Sequence, residues 1–61
     1  MKILNLSYVN GCKVSINFDE ISVMHPIINE DFEAKTRIEL KGGDTILVVE
    51  TIEAIQHMLK H

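Results

Sequence analysis

Residues 2–18 read KILNLSYVNGCKVSINF, and this stretch decides the fold. Lys2 to Val9 alternates, with Leu4, Leu6 and Tyr8 on one face and Asn5 and Ser7 on the other. Asn10-Gly11 follows, a pair that tolerates positive φ at both central positions of a tight turn and is the strongest short hairpin signal. Beyond it Cys12, Val14, Ile16 and Phe18 point one way, and Lys13, Ser15 and Asn17 the other. A slip of one residue would expose the whole apolar set, so the register is firmly specified. The stretch is therefore an amphipathic β-hairpin, and the rest of the chain has to cover its apolar face.

Asp19-Glu20 breaks the alternation, and Ile21 to His25 reads as a third short strand. Pro26 has no N–H for a ladder and ends it. Ile27 to Asp31 reads as a loop. Phe32 to Leu40 has the clearest period of two in the chain. Phe32, Ala34, Thr36, Ile38 and Leu40 share one face, and Glu33, Lys35, Arg37 and Glu39 share the other. Lys41-Gly42-Gly43-Asp44 reads as a second hairpin turn. Thr45 to Val49 is a strand with both faces apolar, which places it centrally or under a helix or partner. Thr51 is a candidate N-cap, and Ile52, Ile55, Met58 and Leu59 form the apolar stripe of a closing helix. Glu53 near its start and Lys60 and His61 at its end suit the helix dipole. At about 10 residues this helix is too short to stand alone and must dock on the sheet.

The expectation is a single α+β domain over residues 1–61. It is a small, twisted, mostly antiparallel sheet of four to five strands with one C-terminal helix packed on it. Leu4, Leu6, Val14, Ile16, Phe18, Val23, Ile38, Leu40, Ile46, Val48, Ile52, Ile55 and Leu59 are expected to form most of the core.

Size and charge narrow the function. The chain has 61 residues, 46% of them apolar and 25% charged, and a core of that size supplies only about 3–5 kcal/mol. One cysteine allows no intrachain disulfide, and no cluster has structural zinc spacing. A homo-oligomer is expected to make up the difference. The longest apolar run is four residues, Ile46 to Val49, against about 20 for a membrane span. Membrane insertion is therefore not expected, nor is a secretory signal core. The lone cysteine fits a cytoplasmic setting. Six Lys and Arg against nine Asp and Glu give a net charge of −3, which disfavours a nucleic-acid partner on electrostatic grounds.

The chemistry-bearing residues are few. Glu53, His57 and His61 stand four apart on one helix face, which is only half of a zinc-helix pattern. Cys12, in a row with Val14, Ile16 and Phe18, is expected to act as a small core hydrophobe. No catalytic constellation, metal site or cofactor is expected, and the chain reads as non-enzymatic. Lys35 and Arg37, with Tyr8, are the candidate contacts for a small anionic, nucleotide-like ligand held between protomers. Ile27 and Ile28 follow a proline in a loop, where no period buries both in one monomer face. With Leu47 and Val49 they are the candidates for a protein–protein surface.

The order of these signals resembles a known family. Asn10-Gly11, Asn17, Ile21, the strand Thr36 to Leu40, Gly42-Gly43, Val48-Val49-Glu50-Thr51 and Ile55 follow in sequence. In this the chain resembles, over nearly its whole length, the short FlbD-like proteins, also called swarming motility protein SwrD. The resemblance implies a non-enzymatic cytoplasmic accessory protein of flagellar motility, with no catalytic residue to transfer. Small proteins of this look also occur in phages and mobile elements, where roles differ.

Overall fold

Alternating apolar residues build five short strands, which a computed structural model places in two antiparallel sheets; it describes residues 2–60. Strand β1 (Ile3–Ser7) pairs with β2 (Lys13–Asn17). A 3-10 turn (Phe18–Glu20) leads to β3 (Ile21–Pro26). Strands β4 (Thr36–Leu40) and β5 (Thr45–Val48) complete a second sheet in the order β3-β4-β5, and helix α1 (Ile52–Lys60) closes the chain. The α+β class and the C-terminal helix are as expected. The strands, however, form two sheets rather than one, meeting where Tyr8 bridges Val48 and the Val49 amide donates to the Ser7 carbonyl at 2.9 Å.

The split has a local cause. The Asn17 side chain accepts from the Asp19 amide at 3.0 Å, and this cap starts the 3-10 turn that carries the chain away from β2. Phe18 consequently leaves the inward row; it is 38% exposed rather than buried in the core. A second correction concerns Val23. A bulge between Ile21 and Val23 puts Met24 opposite Ile38 and Val23 opposite Glu39. One extra residue exchanges the two faces of the strand, so Met24 packs on the core and Val23 is exposed.

The long strand expected from Phe32 begins only at Thr36. Asn29 closes a turn by accepting from the Asp31 amide through its side chain (3.0 Å) and from the Phe32 amide through its carbonyl (3.1 Å). Phe32 is thereby left exposed. The expected alternation resumes at Ala34, with Ala34, Thr36 and Ile38 buried.

Leu4, Leu6, Ile16, Ile38, Val48 and Ile55 form the closed centre, with Val14, Ile21, Met24, Leu40, Ile46, Met58 and Leu59 packed against it. The register of β1 on β2 supplies this directly, since Leu4 faces Ile16 and Leu6 faces Val14. The helix begins where expected: the Thr51 hydroxyl accepts from the Ala54 amide at 3.1 Å. Just before it, Glu50 joins three parts of the fold. Its carboxylate accepts from the Ser7 amide (2.9 Å), and its carbonyl accepts from the fully buried Thr36 hydroxyl (2.7 Å). No helix among the described residues is long and apolar enough to cross a membrane.

Candidate functional site

Two clefts open where the sheets meet, and Tyr8 lines both. Its position follows from the first turn. The Gly11 amide donates to the Tyr8 carbonyl at 3.0 Å, and the Tyr8 amide donates to the Cys12 carbonyl at 2.8 Å. Gly11 has a φ of 91°, and among the described residues no non-glycine has a positive φ. This is a three-residue loop of a type I turn followed by a left-handed glycine, not the two-residue turn that Asn-Gly suggests. The same loop displaces Cys12 from the inward row; it is exposed in the turn, contrary to its expected place in the core.

The first cleft, about 370 Å³, runs between β2 and the turn of the β4–β5 hairpin. Val14 and Ile16 of β2 face Leu40 and Ile46 across it, giving an apolar floor. Glu20, from the 3-10 turn, and Asp44, from the second hairpin turn, supply its charge. Among the described residues no lysine, arginine or histidine lines it. One backbone bond ties the two rims, from the Lys41 amide to the Glu20 carbonyl at 2.8 Å, and a second, from the Leu40 amide to the Asp44 carbonyl at 2.8 Å, closes the hairpin turn that carries Asp44. The second cleft, about 490 Å³, lies between Tyr8, Val9 and Asn10 and the strand residues Thr45 to Leu47.

The other candidate ligand contacts lie elsewhere. Neither cleft that Tyr8 lines includes Lys35 or Arg37. The Lys35 ammonium donates to the Phe32 carbonyl at 3.2 Å. Arg37 is exposed on the outer face of β4, with its guanidinium 3.8 Å from Glu39. Glu39 also meets His25 of β3 at 2.7 Å. Such exposed pairs contribute little to stability. The candidate interface residues divide similarly. Ile28 is 86% exposed and Leu47, opposite Arg37, is 41% exposed on the outer sheet face, whereas Ile27 and Val49 are half-buried. Glu53 and His57 lie on α1, but His61 lies outside the described residues. Among the described residues no three His, Cys, Asp or Glu side chains gather in a metal-binding group.

Glu20 and Asp44 were missed as site residues because each is an ordinary turn acid in the sequence. The available signal was that both flank the ends of apolar strands, Glu20 at the break in alternation after Phe18 and Asp44 at the second hairpin turn. The geometry thus defines a small α+β domain with an acidic, apolar-floored cleft between two hairpins. No protein-family model matches the chain, and no curated protein or solved structure matches it at the significance sought.

Proposed function

We propose that this protein is a non-enzymatic binding or adaptor module that acts by protein–protein contact and assembles with copies of itself. The observation that carries the reading is what remains outside the closed core. Ile28 and Phe32, 86% and 53% exposed, stand on one loop beside the three-stranded sheet, and Val23 and Leu47 are exposed on that sheet's outer face. Isolated surface hydrophobes need no explanation, but several on one small domain suit a partner surface. The FlbD-like resemblance adds an association with motility. The alternative, an anionic, nucleotide-like ligand held by Tyr8, Lys35 and Arg37, would need contacts from more than one protomer.

Ile28→Asp and Leu47→Asp test the reading. Both sites are solvent-exposed, so the thermal midpoint should stay near wild type. Sedimentation velocity should show the wild-type assembly shifting toward monomer in both variants, with loss of captured partner in pull-downs. Wild-type assembly and capture by both variants would sink the proposal.

A further inference from the structure

We propose that the cleft between the two hairpins receives a lysine or arginine side chain of a partner protein. The proposal rests on the protein-contact reading above and names the chemistry of the partner. Its basis is a match of two parts. The floor made by Val14, Ile16, Leu40 and Ile46 suits an aliphatic stem, and the carboxylates of Glu20 and Asp44 suit a cationic head. Lysine and arginine carry both on one side chain, burying the stem along apolar surface while the charge stays near water.

Three further observations favour this occupant. Among the described residues, neither the Glu20 nor the Asp44 carboxylate has a hydrogen-bond or ion-pair partner, so both are free to accept. Tyr8 lines the same cleft, and an aromatic ring attracts a cation placed over its face. The chain carries a net charge of −3, which favours encounter with a basic surface. The cleft is also an open groove rather than an enclosed cavity. Free small ligands are usually held by burying most of their surface. A side chain presented by a larger partner needs only its own stem covered.

Titration of the ¹⁵N-labelled protein with acetyl-Leu-Arg-Leu-amide, followed by amide chemical shifts, tests this. The expected result is saturable movement of the Ser15, Asn17, Gly42 and Asp44 amides, with no such response to acetyl-Leu-Glu-Leu-amide. The E20Q/D44N double variant should weaken binding by about threefold or more, the scale of exposed ion pairs. D44N alone should give a smaller loss. Absence of saturable shifts, an equal response to the glutamate peptide, or shifts confined to other residues would overturn the proposal. So would concentration-dependent shifts at the cleft without peptide, which would identify the occupant as a second copy of this chain. The parent reading fails separately. If E20Q/D44N keeps wild-type partner capture while Ile28→Asp loses it, the cleft proposal falls and the adaptor reading stands. If Ile28→Asp and Leu47→Asp change nothing, the adaptor reading falls whatever the peptide does.

Discussion

The hairpins β1–β2 and β4–β5 end in the same turn but are supported in different ways. In each, an amide donates across three residues at 3.0 Å, from Gly11 to Tyr8 and from Gly43 to Leu40. A second bond, at 2.8 Å, closes each loop, from Tyr8 to Cys12 and from Leu40 to Asp44. The two glycines have φ of 91° and 98°. Yet β4–β5 gains a third strand, β3, whereas β1–β2 remains a two-stranded ladder. An isolated two-stranded hairpin is marginal in water. The first hairpin is therefore held by bonds from the chain end: the Tyr8–Val48 bridge, the Val49 amide on the Ser7 carbonyl and the Glu50 carboxylate on the Ser7 amide. The difference teaches that equal turns do not make equal hairpins, and that the junction at Glu50 does for one what β3 does for the other.

The largest expected effect breaks this difference at Glu50. Ser7 is buried, and Glu50→Ala leaves its amide without an acceptor. A hydrogen bond to a charged group, with a stranded buried donor, predicts a loss of about 2 kcal/mol. Glu50→Gln keeps an acceptor and should recover most of it. Hydrogen exchange adds the spatial test, since Glu50→Ala should accelerate the β1–β2 amides more than those of β4–β5. Uniform acceleration across both hairpins would mean that the first hairpin has no separate dependence on Glu50.

The next effect sharpens the similarity. Gly11→Ala and Gly43→Ala each place a Cβ on a left-handed residue, though neither meets a neighbour within 4 Å. Conformation alone then sets the cost, about 1–2 kcal/mol in each case. Equal losses in chemical denaturation would confirm that the turns are energetically equivalent. A loss at one glycine alone would show that the other loop can change its geometry.

Much of this was legible in the chain because the signals were local. The two apolar rows of the first hairpin, the places of both glycine turns and the Thr51 cap follow from alternation, φ requirements and one side-chain acceptor, whereas the Leu4–Ile16 and Leu6–Val14 pairing needs the three-residue loop, since a two-residue turn at Asn10-Gly11 would set Leu4 opposite Asn17. The division into two sheets was not legible, because it depends on Asn17 capping a turn where the apolar alternation pointed to continued strand. The exchange of Val23 and Met24 was hidden for a related reason: ISVM is apolar enough on both sides of a bulge that composition does not say which residue turns inward. The Glu50–Ser7 bond spans 43 residues, and no local pattern announces such a contact. At the candidate site only Tyr8 was identified in advance. Glu20 comes from the 3-10 turn that links the two sheets and Asp44 from the β4–β5 hairpin turn, and their shared cleft exists only once the sheets meet.

The smallest expected effect concerns a side-chain hydrogen bond that one turn has and the other lacks. In the first loop the Asn10 side chain accepts from the Cys12 amide at 3.0 Å. Gly42 holds the equivalent place in the second loop and has no side chain to accept from Asp44. Its φ lies outside the left-handed range, and a Cβ there would meet nothing within 4 Å. Gly42→Asn should therefore install the missing bond and remove the conformational freedom of a glycine from the unfolded chain. The expected gain is about 0.5 kcal/mol, or about 3 °C in the thermal midpoint of a domain this small. Asn10→Gly, the reverse exchange, should lose a similar amount. A fall in midpoint for Gly42→Asn would show that the second loop depends on a conformation at residue 42 that asparagine does not adopt, and the equivalence of the two turns would end at their backbone bonds.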